Sequence, residues 1–182
     1  MRNALGMIET MSVPLGIQAG DAMLKAAEVE LVVSQAACAG KYIVIVEGEV
    51  AAVRAAVEAG KISAGSTLVD FLVIPGIHEQ VAPAISATAE VEEVNALGVM
   101  ESYSMCAAIL SADAAVKAAA VKLIEVRLGR GLGGKAFVIL TGEVAAVRAA
   151  VEAAEALDEV QGMLGASTVI PSPHKKIFES IC

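Results

Sequence analysis

The stretch GEVAAVRAAVEA occupies residues 48–59, and the same twelve letters return unaltered at residues 142–153. The flanking sequence repeats as well: ALGMIET begins at Ala4 and ALGVMES at Ala96, and DAMLKAAEVEL is matched by DAAVKAAAVKL at the same spacing of 92 residues. The spacing grows to 94 at the two Gly-Lys pairs and to 96 between VIPGIH and VIPSPH. Because the order is kept, one unit is duplicated in tandem. We predict two domains, at residues 1–91 and 92–182.

The composition favours assembly over catalysis or nucleic-acid binding. The chain is 57% hydrophobic but only 3% aromatic, so its apolar content is mostly Ala and Val, which suits close packing and flat subunit contacts better than a wide ligand pocket. Each copy is small and buries a marginal core by itself, so it needs neighbours. The formal net charge of −8 and the lack of a Lys/Arg cluster argue against a nucleic-acid partner.

Two further function classes are disfavoured by what the sequence lacks. Glu9 interrupts the N-terminal apolar run, and no run of about eighteen uncharged apolar residues occurs, so we expect neither a signal peptide nor a membrane span and place the protein in the cytosol. The cysteines Cys38, Cys106 and Cys182 form no CxxC pair, which predicts neither a disulfide framework nor a zinc site. No nucleophile–base or carboxylate pair clusters with the glycine turns, so we expect no enzyme activity and no catalytic residue.

One copy predicts the element order βαββαβ followed by a short helix. Ser12 stands at the N-cap position of the first helix, and Ser104 repeats it in the second copy. VELVVS and KYIVIVEG predict two strands around the turn AACAGK. In the repeated stretch, Val53 and Val57 share one helix face, which predicts packing on the sheet. We therefore expect α+β domains with a mixed sheet and helices on one face.

These motifs carry a resemblance to a known family. LGMIET, the DAMLK helix, the Gly-Lys turn, the repeated helix and the VIPSPH ending together resemble the bacterial microcompartment shell domain, and two copies resemble its tandem-domain class. The resemblance covers nearly the whole chain. It implies a homotrimer that forms a pseudo-hexameric tile, and tiles that join other shell proteins edge to edge around enzymes in the bacterial cytoplasm. Duplication would let a three-fold ring mimic a six-fold one.

The glycine-rich stretch GRGLGGK at residues 129–135 has the spacing of a phosphate-binding P-loop up to its lysine. The next residue is Ala136 rather than Ser or Thr, and KAFVILTG predicts a strand where a P-loop requires a helix, so we expect no nucleotide site. The resemblance implies instead that this turn lies at the central pore of the tile, together with the equivalent turn of the first copy. The pore-lining residues would be Ala37, Cys38, Ala39, Gly40, Arg130, Gly131, Leu132 and Gly133.

Cys38 is the residue with the most specific expectation. By itself, a lone cysteine beside alanines is more often a small buried hydrophobe than a ligand. A three-fold axis through the turn would bring three thiols together, and three cysteinates can hold a cluster that one chain cannot. The chain also resembles the propanediol-utilisation type of tandem shell protein. This resemblance implies a 4Fe-4S cluster bound by three copies of Cys38, for electron transfer or cluster delivery across the shell, with lumenal redox enzymes among the partners.

Two lysines are candidates for contacts between tiles. Lys25 follows Asp21 by four residues, and Lys117 follows Asp113 in the same way. Such pairs are ordinarily found on a solvated helix face. The resemblance implies that both lysines lie on the tile edge and contact the next tile.

His78 and His174 each follow a proline-containing segment at a helix start, without an acid or thiol at a ligand-like spacing, and we interpret them as structural or edge residues.

Two alternatives to the cluster-bearing tile stay open from the sequence. One is a shell tile with a passive metabolite pore and no cluster. The other is a freestanding trimeric regulator that binds a small molecule with a similar split-βαβ fold.

Overall fold

The computed structural model describes residues 4–91 and 95–181, with the side chain of residue 181 left out. The predicted domain boundary falls beside residues 92–94, which lie outside the described residues, as does Cys182. Within the described ranges, no helix has the length and apolar content that crossing a bilayer requires.

The element order predicted for one copy is found twice. The first copy contains β1 (Ala4–Thr10), α1 (Val13–Ala26), β2 (Glu30–Ala37), β3 (Lys41–Gly48), α2 (Val50–Ala64), β4 (Leu68–Pro75) and α3 (Val81–Ile85). The second contains β5 (Ala96–Ser102), α4 (Met105–Ala118), β6 (Val121–Leu128), β7 (Ala136–Gly142), α5 (Val144–Glu155), β8 (Leu164–Ile170) and α6 (Lys175–Ile181). The predicted α+β class of tandem βαββαβ units, each with a short C-terminal helix, is confirmed.

Each copy builds a four-stranded sheet, with strand orders β2-β3-β1-β4 and β6-β7-β5-β8. All strand pairs are antiparallel, so the expected mixed sheet is wrong. The helical crossovers do join parallel strands, β1 to β2 and β3 to β4, but another strand always lies between the two. Both sheets also carry the same irregularity, after Leu31 in β2 and after Leu123 in β6, so the duplication has kept the register.

The two long helices of each copy, α1 with α2 and α4 with α5, pack against each other and against the sheet of that copy. Ser12 caps α1 by accepting the Leu15 N–H, and Ser104 caps α4 by accepting the Ala107 N–H. In α2, the Val53 and Val57 side chains are buried against β1 and β3, in a core made of Ala, Val, Ile and Met.

The chain divides into two compact units that differ from the sequence copies by short segments. One unit comprises residues 1–77 together with residues 130–134, and the other comprises residues 78–129 and 135–182. The helix α3 therefore belongs to the second unit, and the tip of the glycine-rich loop belongs to the first. The boundary at residues 91 and 92 stays a prediction from the sequence repeat.

Candidate functional site

The Cys38 turn, residues 37–40, joins β2 to β3. Ala37 pairs with Lys41 across the two strands, and a single 3-10 turn covers Cys38–Gly40. Ala39 and Gly40 have φ values of 63° and 74°, in the left-handed region that glycine adopts freely and alanine only at a steric cost. The turn therefore carries small residues on both sides of a partly exposed thiol.

The glycine loop, residues 129–135, joins β6 to β7. Its ends are closed by the Gly129 N–H, which donates to the Lys135 carbonyl oxygen at 3.1 Å. Four of its glycines have φ between 63° and 94°, so the loop needs residues without a side chain at these positions. Left-handed residues of this kind turn successive backbone N–H groups toward one side, where they can bind an anion.

The structure brings the tip of the glycine loop to the Cys38 thiol, within the first compact unit. The Gly131 N–H donates to Cys38 Sγ at 3.0 Å. The backbone N–H of Leu132 makes the largest contribution to lowering the pKa of Cys38; partial desolvation opposes it, and the N–H groups of Gly131, Gly134 and Gly133 lower the pKa further. The loop therefore favours the thiolate, which is the form of cysteine that binds metals.

Arg130 extends from the same loop tip. Its side chain is exposed, and Nη1 donates to Gln35 Oε1 at 3.4 Å, within hydrogen-bond range but longer than an optimal bond. Residues from both predicted pore turns thus meet around one thiol. Whether they line a pore depends on other chains, so the pore-lining assignment stays a prediction.

Within residues 4–91 and 95–181, one chain offers too few donor side chains for a metal cluster. Among the described residues, no group of three or more His, Cys, Asp or Glu side chains could hold a metal ion. Cys106 is buried in α4, whereas Cys38 is partly exposed. Cys182 lies outside the described residues. A cluster bound through Cys38 would therefore need thiolates from several chains, and a partly exposed thiol with a lowered pKa fits that requirement.

Ion pairs that sequence reasoning missed lie beside both turns. Lys41 Nζ is 2.5 Å from Glu9 Oε1, and Lys135 Nζ is 3.0 Å from Glu101 Oε2. Glu101, through its hydrogen bond and its charge, raises the pKa of Lys135. The two pairs occupy equivalent positions in the copies, so their recurrence in the repeat was the signal that could have found them. They tie the first residue after the Cys38 turn, and the last residue of the glycine loop, to β1 and β5.

The two predicted edge lysines have different surroundings. Lys25 is exposed and pairs with the exposed Asp21 at 2.6 Å. Lys117 pairs at 2.5 Å with Asp113, a nearly buried carboxylate that also accepts the His78 N–H at 2.8 Å. Lys25 is therefore available to a neighbouring molecule. Lys117, in contrast, pairs with the carboxylate that holds the backbone of His78, just before α3.

The two histidines make the same local contact beside α3 and α6. His78 Nδ1 accepts the Gln80 N–H at 3.3 Å, and His174 Nδ1 accepts the Lys176 N–H at 3.2 Å. The helices α3 and α6 thus begin in the same way.

The fold and site together define a duplicated antiparallel α+β unit, in which the glycine loop directs backbone N–H groups at the thiol of the Cys38 turn. The family model described as the BMC domain matches residues 4–77 and 96–173. The chain therefore belongs to the BMC-domain family, and it is a structural shell protein of a bacterial microcompartment with two such domains in tandem.

Individual relatives agree with this assignment. The bacterial microcompartment shell protein PduT of Citrobacter freundii is 41% identical over 181 residues, covering 100% of this chain and 98% of PduT. The crystal structure of a microcompartment protein from Desulfitobacterium hafniense DCB has a TM-score of 0.94 and 44% identity, covering 98% of this chain and 99% of that one. The fused, permuted hexameric shell protein of the RMM microcompartment has a TM-score of 0.61 and 29% identity, with coverage of 87% and 82%.

Proposed function

We propose that three copies of this shell protein form a pseudo-hexameric tile, and that the central pore of the tile holds a 4Fe-4S cluster through three Cys38 thiolates. The observation that carries the proposal is the hydrogen bond from the Gly131 N–H to Cys38 Sγ, together with the lowered pKa of that thiol. Amide donors directed at a sulfur favour the anionic form, and an anionic sulfur is what a cluster requires of its ligands.

The residues around the thiol have distinct tasks in such a tile. Ala37, Ala39 and Gly40 are small, so three copies of the turn can approach one axis without a steric clash. The glycine loop holds the sulfur in place and stabilises its negative charge. A bound cluster supplies one-electron transfer, which would let electrons cross the shell without opening a route for metabolites. Cluster delivery is the second use of the same site.

A passive pore is less well supported than a cluster site. A metabolite pore needs an opening lined by groups that bind weakly, and it gives no reason for several backbone N–H groups to converge on one thiol. The freestanding regulator is disfavoured by membership of the shell family, since the relatives of this chain are shell proteins.

The tile proposal includes its partners. The shell protein of the RMM microcompartment is fused, permuted and hexameric, which supports a ring of six domains here as well. Lys25 and Lys117 would contact other shell proteins at the tile edges, and redox enzymes of the lumen would exchange electrons with the cluster.

Anaerobic reconstitution with iron and sulfide tests the cluster. We expect four iron atoms per three chains and a cluster signal in electron paramagnetic resonance after reduction, for the wild type and for Cys106→Ala as a matched control. Cys38→Ala should bind no cluster while keeping its secondary structure. A cluster that survives in Cys38→Ala, or a wild type that never binds iron, would overturn the proposal.

A further inference from the structure

The edge strand β6 is covered by the helix α3. The Gln80 side chain joins the two elements: its Nε2 donates to the Val121 carbonyl oxygen at 3.3 Å, and its Oε1 accepts the Leu123 N–H at 2.9 Å. Val81 of α3 is fully buried, and Leu123 of β6 is only 2% exposed. The helix thus satisfies backbone groups of the edge strand and removes apolar side chains from water.

The equivalent elements of the chain are β2 and α6, and each exposes what its counterpart buries. Leu31 of β2, equivalent to Leu123, is 48% exposed, and Ile177 of α6, equivalent to Val81, is 53% exposed. The helix α6 is nevertheless built like α3, since the Ile177 N–H donates to the His174 carbonyl oxygen at 2.9 Å. The duplication has therefore kept both halves of a helix-on-edge contact that the described residues make once, between α3 and β6.

The residues at the starts of α3 and α6 differ in charge. In the second unit, Glu79 and Gln80 of the segment leading into α3 line one groove with Lys122 of β6. At the positions equivalent to Glu79 and Gln80, α6 carries Lys175 and Lys176. The C-terminal helix would therefore bring two positive charges to an edge strand, where the segment leading into α3 brings a carboxylate and an amide.

One equivalent position of β2 and β6 changes sign in the sense that matches the lysines of α6. Lys122 of β6 corresponds to Glu30 of β2. A groove of about 620 Å³ runs beside β2, and four of its lining residues are acidic: Glu28, Glu30, Glu47 and Glu49. Opposite charges at one surface and its partner favour association and fix its orientation.

We propose that α6 of one chain docks on the edge strand β2 of a second copy, with Ile177 covering Leu31 and Lys175 and Lys176 facing the acidic groove. The proposal rests on the trimeric tile, and it specifies the contact between neighbouring chains that closes the ring. Within a chain α3 covers β6, and between chains α6 would cover β2, so these two equivalent edge strands would each be covered once. The inverted charges also make the wrong combination, α6 on β6, bring like charges together.

Charge reversal with rescue tests this contact, with sedimentation velocity at micromolar concentration as the readout. We expect Lys175→Glu with Lys176→Glu, and separately Glu28→Lys with Glu30→Lys, to raise the concentration at which the trimer dissociates by about tenfold or more, because like charges then meet. All four substitutions in one chain should restore the trimer. Lys122→Glu, at the equivalent position of the other edge strand, is the matched control and should leave the trimer intact.

A second measurement identifies the residues. Carbodiimide cross-linking of mixed unlabelled and ¹⁵N-labelled wild-type chains should give a peptide pair that joins Lys175 or Lys176 of one chain to Glu28 or Glu30 of another. A trimeric wild type whose reversal variants remain trimeric, or whose cross-links from α6 fall elsewhere, would overturn the docking contact and leave the proposed tile standing. A monomeric wild type would overturn both. Rescue by the four-fold variant would exclude misfolding as the cause of dissociation.

Discussion

The ion pair between Glu9 and Lys41 gives a quantitative prediction, because the duplication supplies its own control. The Glu9 side chain is 4% exposed and that of Lys41 is 20% exposed. Lys41 Nζ lies 2.5 Å from Glu9 Oε1, but without the alignment of a hydrogen bond, so the contact is mainly one of charge. In the second copy, Lys135 Nζ and Glu101 Oε2 are 3.0 Å apart, and the side chains are 40% and 39% exposed, respectively. The exposed fraction of Glu101 is thus about ten times that of Glu9.

The change Lys41→Met leaves the Glu9 carboxylate buried without its counter-charge. Breaking a buried pair in this way costs about 3–5 kcal/mol, and because a fifth of the Lys41 side chain is in water we expect the lower end, about 3 kcal/mol. For a chain of this length, that corresponds to a fall in Tm of about 6–12 °C. The change Lys135→Met should alter Tm far less, because water screens an exposed pair.

Thermal unfolding followed by circular dichroism measures both changes. The apo protein should be compared at one fixed concentration, since the Tm of an oligomer depends on concentration. The double variant Glu9→Gln with Lys41→Met removes the stranded charge and should recover much of the lost stability. Equal losses for Lys41→Met and Lys135→Met, or no recovery in the double variant, would refute the reasoning from burial.

Further expectations concern the thiol, the sheet–helix packing and the tile edge. Since the loop N–H groups lower the pKa of Cys38, alkylation of the apo protein by iodoacetamide should persist to lower pH than for a free thiol peptide, and a midpoint at or above that of the peptide would contradict this. A Cβ on Gly6 would lie 2.6 Å from Val57 Cγ2, and the equivalent Gly98 is packed almost as closely. Gly6→Ala and Gly98→Ala should therefore each lower the free energy of unfolding, measured by urea denaturation, by about 1–3 kcal/mol. An unchanged free energy of unfolding would show that the packing can relax. Lys25→Asp should keep the trimer but suppress two-dimensional arrays in electron microscopy, and unchanged arrays would remove this lysine from the edge.

The repeated sequence predicted most of the local structure. The valine spacing of GEVAAVRAAVEA placed α2 and α5 correctly, because a helix face is set by residues three and four apart. The caps at Ser12 and Ser104 follow from the same local rules. The mixed sheet was wrong because strand neighbours are chosen by long-range packing: a βαβ crossover may pass over one strand, and the repeat does not encode which strand lies between.

The contacts around the Cys38 thiol could not be predicted from the sequence, for a similar reason. Both turns could be singled out, but Cys38 and Gly131 are separated by 93 residues, and no local pattern indicates that the N–H groups of one turn meet the thiol of the other. The same holds for Gln80, whose amide bonds β6 far along the chain. These contacts appear only once the whole chain is folded.

Native mass spectrometry of the anaerobically reconstituted wild type tests the central claim most directly, because one spectrum reports the number of chains and the mass of what they hold. We predict a trimer that carries one 4Fe-4S cluster, and a trimer without added mass for Cys38→Ala. A wild-type trimer that carries no cluster, or a cluster on a single chain, would contradict the account.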